Sequence, residues 1–205
     1  MNNYKEKIHS SINESIKTKQ LILEEQYSDT IFQIAEKISD CISNGGKLLL
    51  CGNGGSAADA QHLAAELLIR LRPNVNRDPL PAIALAMDSS TFTACGNDYS
   101  FDEIFSRVLQ AIGKKEDILL GISTSGQSKN VNQAIIKANE MGMQTLALLG
   151  GSGGDTKDLC TQSFIVPSNV TARIQESHIT IGHIIMEIIE DLLIEKGYIE
   201  LTKTI

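Results

Sequence analysis

Long hydrophobic runs are absent from this chain of 205 residues. No stretch approaches the ~20 apolar residues of a membrane-spanning helix, and the polar N-terminal stretch MNNYKEKIHSS lacks the apolar segment of a signal peptide. These absences predict a cytoplasmic protein without a membrane partner. Low-complexity segments and internal repeats are also absent, and the length suits one α/β domain with or without an added arm.

Basic residues are in the minority, because 18 lysines and arginines stand against 25 aspartates and glutamates, for a net charge of −7. A DNA-binding surface needs a basic face, so nucleic acid is not expected as the main partner. An anionic small molecule remains compatible with this charge, because helix termini and backbone amides bind phosphate locally.

Cysteine motifs are absent as well. The four cysteines form no C-x-x-C pair and two of them lie in apolar runs, which predicts buried reduced thiols rather than disulfides. These residues are Cys41, Cys51, Cys95 and Cys160.

The apolar pattern divides the chain near residue 45. Up to that point apolar residues recur at helical spacing and predict two helices, the second ending at Asn44-Gly45-Gly46. Beyond it, apolar strands alternate with amphipathic helices, which predicts a parallel sheet covered by helices on both faces. The predicted strands are Lys47–Cys51, Ala82–Leu85, Asp117–Ser123, Thr145–Leu149 and Ser163–Val166. The predicted helices are Ala57–Leu71, Phe101–Ile112, Asn130–Met141 and Ala172–Glu195.

A glycine-rich turn follows the first predicted strand, in the segment LLLCGNGGSAADAQHLAAE. Gly52, Gly54 and Gly55 allow a sharp turn and a close approach to an anion, and Ser56 is expected to cap the next helix. The segment also fits the dinucleotide pattern G-x-G-x-x-A, which expects an acidic residue about 20 positions later. The nearest candidate at the end of the second predicted strand, Asp88, lies well beyond that spacing. A Walker A loop is excluded because no G-K-[ST] follows.

His62 and Glu66 lie four residues apart and share one face of the helix that this turn begins. Both could be surface residues of an amphipathic helix. The alanines around them instead indicate a closely packed helix. On one stripe of that helix, His62 and Glu66 are then the only functional groups. A base or metal-ligand pair beside an anion site suggests an enzyme that acts on a phosphorylated small molecule.

A second loop of the same kind, ISTSGQS, ends the third predicted strand. Its hydroxyls and backbone amides precede a helix, and such a cradle can bind phosphate without lysine or metal. The alternative is an ordinary turn that caps the next helix. This alternative is less favoured because a similar glycine-rich loop follows another predicted strand. The hydroxyl residues are Ser123, Thr124, Ser125 and Ser128.

The last predicted helix contains Gln175, His178 and His183 among apolar residues, and each buried polar group needs a partner. With His62 and Glu66 they suggest a site for zinc or a similar divalent ion. Gln175 and His183 are separated by ~12 Å along an ideal helix, however, and cannot readily chelate one ion. Either the helix begins after Gln175, or another subunit contributes a ligand.

Four segments in this order resemble the sugar isomerase (SIS) family, and within it the phosphoheptose isomerases: CGNGGSAADAQH, GNDYSFDEIFSR, DILLGISTSGQS and ARIQESHITIGH. The similarity extends from about Gly45 to Leu193. It implies a three-layer αβα sandwich with a flavodoxin-like parallel sheet (residues 46–196) and an N-terminal helical oligomerisation arm (1–45). The C-terminal tail (197–205) has no evident counterpart in the family.

The resemblance also implies an activity. Members convert sedoheptulose 7-phosphate to D-glycero-D-manno-heptose 7-phosphate through an enediol, the first step toward the heptose of lipopolysaccharide or capsule. It gives Glu66 the role of base and His183 that of acid/base partner, and it implies a homotetramer with sites between subunits. The implied Zn²⁺ ligands are His62, Glu66, Gln175 and His183. The implied substrate contacts are Asn53, Gly54, Gly55, Ser56, Glu66, Asn97, Asp98, Ser123, Thr124, Ser125, Ser128 and Gln175.

Two departures and one alternative accompany the resemblance. Ala172 stands where some relatives have an acidic residue, and Leu67-Leu68-Ile69 is more apolar than expected before Arg70. The alternative is the DnaA initiator-associating protein, a non-catalytic regulator of replication initiation on the same scaffold. That group lacks the equivalents of Glu66 and His183, so their presence favours the enzyme.

Overall fold

Five apolar runs form the strands of an all-parallel sheet. The computed structural model describes residues 2–85 and 88–200, and the strand order is β2-β1-β3-β4-β5. This is the flavodoxin-like order, in which β1 and β3 lie side by side and the chain reverses direction across the sheet between them. The strands are β1 (Leu48–Gly52), β2 (Ala82–Ala84), β3 (Ile118–Ser123), β4 (Gln144–Gly150) and β5 (Gln162–Val166).

Helices cover both faces of the sheet, and each face has its own apolar cluster. One cluster joins the sheet to α2, α3 and α8, and the other joins it to α4, α5 and α6. The three-layer sandwich predicted from the sequence is therefore confirmed. The helices are α1 (Asn2–Ile22), α2 (Glu25–Ser43), α3 (Gly55–Ala65), α4 (Ser89–Asp98), α5 (Ile104–Ile112), α6 (Lys129–Glu140), α7 (Thr156–Leu159) and α8 (Thr171–Glu195).

Two helices precede the sheet, as predicted, and the first lies outside the sandwich. Helix α2 buries its apolar stripe in the core, whereas α1 packs against α8. The Arg173 guanidinium of α8 donates to the Ser11 carbonyl oxygen of α1 and pairs with Glu176 at 2.6 Å. Along the outer face of α1, Tyr4, Ile8 and Ile12 are 73%, 56% and 55% exposed.

Helix boundaries differ from the prediction by more than one residue in two of the predicted helices. The helix predicted as Ala57–Leu71 begins at Gly55 and changes at Glu66 into a π-helical turn, Glu66–Arg70. A 3₁₀ turn, Phe101–Glu103, precedes α5. Helices α4 and α7 were not predicted. Of the predicted tail, residues 201–205 lie outside the described part of the chain.

The cysteines are free, as predicted, and three of the four are buried. Burial raises the pKa of the Cys51 thiol to about 12 and that of Cys41 to about 11. At neutral pH these two thiols are therefore protonated core side chains. Among the described residues, no helix combines the length and the apolarity needed to cross a membrane.

Candidate active site

The two glycine-containing loops meet where the strand order reverses. Gly52 at the end of β1 is in register with Ile122 of the neighbouring β3, so the loops that follow these strands leave the same edge of the sheet. Ligands of open α/β sheets bind at this edge. A cavity of about 270 Å³ opens beside the first loop, lined by Asn53, Gly54 and the rings of Phe92, Phe101 and Phe105, among others.

The first loop can form only because glycine occupies its tightest positions. Gly54 has a φ of 56°, in the left-handed region, and is the N-cap of α3. A Cβ on Gly55 would lie 2.5 Å from Nε2 of Gln175, so this glycine lets the start of α8 reach the loop. The expectation that Ser56 caps the helix is wrong, because the helix begins one residue earlier and Ser56 is buried in its first turn.

In the second loop, hydroxyls bind the loop to itself. Oγ of Ser123 accepts the Gly126 N–H at 3.1 Å and lies 3.1 Å from Oγ of Ser128. Oγ of Ser125 accepts the Gln127 N–H at 3.2 Å. These bonds preorganise a turn at the N-terminus of α6, and the predicted contacts of Ser123, Ser125, Ser128 and Thr124 with substrate stay predictions.

A pair of asparagines joins the two loops, and only one of them was predicted from the sequence to be a site residue. Asn53 and Asn130 exchange two hydrogen bonds of 2.8 Å through their side-chain amides. Asn130 is buried, and its Oδ1 also accepts the N–H of Val131 at 2.9 Å. Asn53, a predicted substrate contact, is therefore held by the first turn of the helix that follows the second loop.

Three donor atoms converge where α3, the π-helical turn that follows it and α8 meet. Nε2 of His62 lies 2.8 Å from Nε2 of His183 and 3.2 Å from Oε1 of Glu66. The donor atoms of this trio all lie within 4.8 Å of one another. Helix α3 supplies His62, the π-helical turn supplies Glu66, and α8 supplies His183. The predicted pairing of His62 with Glu66 on one face is confirmed, and His183 joins them.

The trio fits a divalent metal. Two imidazoles and one carboxylate are the protein ligands of known catalytic zinc sites, which keep a fourth position for water or substrate. Two ring nitrogens at 2.8 Å also need a proton or a cation between them. Asp59, one turn before His62, has one carboxylate oxygen buried without a partner among the described residues. Burial raises the pKa of Asp59, and the nearby charges of His62 and His183 offset only part of this rise.

Two other polar residues of α8 lie elsewhere. Helix α8 runs from Thr171 to Glu195, close to the predicted Ala172–Glu195, so the alternative in which it begins only after Gln175 is excluded. A metal role for Gln175 then requires the other predicted arrangement, with a ligand from another subunit. His178 is not part of the trio: Nε2 bonds the Leu149 carbonyl at 2.9 Å in the core, and burial lowers its pKa to about 4.

The predicted pair Asn97 and Asp98 lies at the end of α4. Nδ2 of Asn97 donates to Oδ1 of Asp98 at 2.8 Å, and both side chains are exposed. Their predicted contact with substrate stays a prediction.

Comparison with known proteins agrees with this geometry. The SIS domain profile matches residues 12–150. A phosphoheptose isomerase from Chlorobaculum parvum is 54% identical over 81% of this chain and 80% of its own length. The chain belongs to the phosphoheptose isomerases of the SIS family. Another phosphoheptose isomerase, from Aquifex aeolicus, is 46% identical and covers 94% of this chain and 99% of its own.

Solved structures of phosphoheptose isomerases share the fold. One from Neisseria gonorrhoeae superposes with a TM-score of 0.84 at 41% identity, covering 92% of this chain and 99% of that one. One from Francisella tularensis gives a TM-score of 0.86 at 41% identity, with coverages of 91% and 97%. Because nearly the whole length of these isomerases is matched, the family resemblance drawn from four segments is confirmed.

Proposed function

We propose that this chain is an aldose–ketose isomerase that converts sedoheptulose 7-phosphate to D-glycero-D-manno-heptose 7-phosphate through an enediol. The convergence of His62, Glu66 and His183, whose donor atoms lie within 4.8 Å of one another, carries the proposal. Relatives that are 54% and 52% identical in sequence are named phosphoheptose isomerases, which supports this proposal. They do not favour the non-catalytic regulator of replication initiation.

Glu66 is the proposed base. Moving the carbonyl from C2 to C1 requires a proton to leave C1 and arrive at C2, and one carboxylate can carry it across one face of a cis-enediol. The Glu66 side chain is 15% exposed, so it is shielded yet open to a ligand. His183 is the proposed acid/base partner, which would move the hydroxyl proton between O1 and O2 while its Nε2 is free of metal.

The two loops are the proposed binding machinery for the distant phosphate. Backbone amides at the start of α3 and α6 would offer hydrogen-bond donors at positive helix ends. Binding energy from the phosphate orients the reacting carbons, which lie several bonds away. The Asn53–Asn130 pair would hold the two loops at a fixed separation.

Zn²⁺ is the proposed metal, held by His62, Glu66 and His183, with Gln175 of another subunit as a further ligand. When bound it would act as a Lewis acid toward the developing enediolate oxygen. Metal binding would lower the basicity of Glu66, so the two roles of this carboxylate compete. Activity measured with and without a chelator distinguishes the role of Glu66 as a base from its role as a metal ligand.

A homotetramer with sites between subunits is the proposed assembly. The His62 side chain is 49% exposed, and a groove of about 760 Å³ beside it is lined by apolar residues that include Leu68 and Ile83. The exposed stripe of α1, which includes Ile8 and Ile12, is a second apolar surface that a second copy can cover. The helical-arm role of residues 1–45 and the cytoplasmic location stay predictions.

The test is an isomerase assay in deuterium oxide. Purified protein is mixed with sedoheptulose 7-phosphate, with and without a chelator, and NMR follows the aldoheptose and deuterium at its C2. We expect turnover with deuterium at C2, and a loss of about 10²–10⁴-fold in kcat for Glu66→Gln at retained fold. Glu140→Gln, an exposed carboxylate paired with Lys137, is the matched control with unchanged activity.

Each outcome decides one assignment. Activity lost with the chelator and restored by zinc supports the metal, whereas activity that survives a metal-free preparation removes the metal from the mechanism. Near-normal turnover of Glu66→Gln means that another group is the base. No product from a folded, metal-loaded protein would refute the isomerase itself.

A further inference from the structure

A buried arginine holds the turn that carries Glu66. Arg77 lies in the segment between the π-helical turn and β2, and its side chain is fully buried. Its NH2 group donates to the Glu66 carbonyl oxygen at 3.0 Å, and its NH1 group donates to the Leu67 carbonyl oxygen at 2.9 Å. The guanidinium therefore binds the backbone of the proposed base and of the residue that follows it.

The same guanidinium is anchored on α8. Nε of Arg77 donates to Oε1 of Glu190 at 2.6 Å, and the Glu190 side chain is also fully buried. Arg72 contacts the other oxygen, with Nε 2.8 Å from Oε2, and continues to Asp191 at 2.6 Å. Glu190 thus has a partner on each carboxylate oxygen, as a buried charge requires.

Glu190 and His183 lie seven residues apart on α8, two turns along one face. Arg77 therefore links the helix that bears His183 to the turn that bears Glu66. The link is rigid, because a planar guanidinium with several bonds has little freedom to rotate.

The π-helical turn needs such a link. A π turn departs from the regular helical bonding ladder, and such turns are frequent at functional sites. Leu80 N–H donates to the Leu67 carbonyl oxygen at 3.0 Å, so the segment before β2 supports the same turn from a second point. The orientation of this turn sets where the Glu66 carboxylate points relative to His62 and His183.

We propose that Arg77 is a positioning residue that fixes the Glu66 turn relative to His183 through the buried Arg77–Glu190 pair. The inference rests on the proposed role of Glu66 as base. Arg77 touches no reacting atom in this arrangement. Its effect is on the rate of the chemical step, because a small displacement of a base lowers kcat while the phosphate loops continue to bind substrate.

The test compares Arg77→Lys with Arg72→Lys. Both variants keep a positive charge near Glu190, but only the first loses the guanidinium that binds the Glu66 carbonyl. We expect Arg77→Lys to lower kcat by about tenfold or more, with KM changed less than about threefold. Arg72→Lys is expected to keep kcat within about twofold of the parent.

A second variant covers the case in which Arg77→Lys does not fold. Arg77→Met/Glu190→Leu removes both buried charges together, which proteins tolerate far better than the loss of one partner. We expect a folded protein with the same loss in kcat, because the Glu66 carbonyl still lacks its donor. A folded variant of either kind with parental kcat overturns the proposal, and so does failure of both to fold beside an active Arg72→Lys.

Failure of the underlying function is visible separately. An active Glu66→Gln enzyme would refute the base assignment whatever Arg77 does. An inactive Glu66→Gln beside a fully active Arg77→Lys would refute the positioning role alone.

Discussion

The buried imidazole of His178 makes the stability of this protein depend on pH in a calculable way. Its Nε2–H donates to the Leu149 carbonyl oxygen at 2.9 Å, and Nδ1 has no partner among the described residues. Burial lowers the pKa of His178 to about 4, from an ordinary value near 6.5. The folded state therefore holds this ring neutral well below the pH at which an unfolded chain protonates it.

The sign follows from proton binding. Between pH 6.5 and 4 the unfolded state binds one more proton at this position than the folded state does, so stability falls as pH falls. Across the whole window the loss is about 3 kcal/mol, and between pH 7 and pH 5 it is about 2 kcal/mol. Carboxylates titrate over part of the same range, so the effect must be measured as a difference.

The measurement is urea unfolding at pH 7 and pH 5, at one protein concentration, for the parent and for His178→Gln. Glutamine keeps an N–H donor toward Leu149 but does not titrate. We expect the variant to lose about 2 kcal/mol less than the parent between the two pH values. Equal losses in the two proteins would show that His178 is protonated in the folded state or accessible to water.

Two further predictions concern the loops and the assembly. Asn130→Ala removes both hydrogen bonds to Asn53 and is expected to raise KM by about tenfold, with a smaller change in kcat. Steady-state kinetics measures both constants, and an unchanged KM would contradict the role of the asparagine pair. Ile12→Lys places a charge in the exposed stripe of α1 and is expected to weaken assembly in sedimentation experiments, whereas Asn13→Lys beside it is not. Equal masses for the two variants would exclude α1 from the interface.

Most of the sheet could be predicted because buried parallel strands are continuous apolar runs. The residues of β1 and β3 are all buried, and both strands were predicted to within one residue at each end. Helix α4 was missed because its sequence, SSTFTACGND, lacks an apolar stripe. Only Cys95 of this helix is buried. The side-chain cap that Asp88 supplies to Thr91 N–H was the local signal for its start.

The parts of the site that could be predicted are likewise those that depend on a short segment of sequence. Glycine spacing indicated both loops, and the four-residue spacing of His62 and Glu66 indicated a shared face, because each of these is a property of a short segment. The Asn53–Asn130 pair joins residues 77 positions apart, and the Arg77–Glu190 pair joins residues 113 positions apart. Only the folded chain brings such partners together, so no local pattern indicated them.

Helical phase explains why one histidine of α8 belongs to the site and the other to the core. His178 and His183 are five residues apart, which on an ideal helix turns their side chains by about 140° from each other. They cannot both face α3, and the sequence analysis treated them as one group. His183 and Glu190, seven residues apart, return to one face and contact α3 and the segment before β2. One face of α8 therefore carries both His183, the proposed partner of Glu66, and Glu190, which anchors Arg77. For this reason a substitution at buried Glu190 or Arg77 is expected to lower kcat.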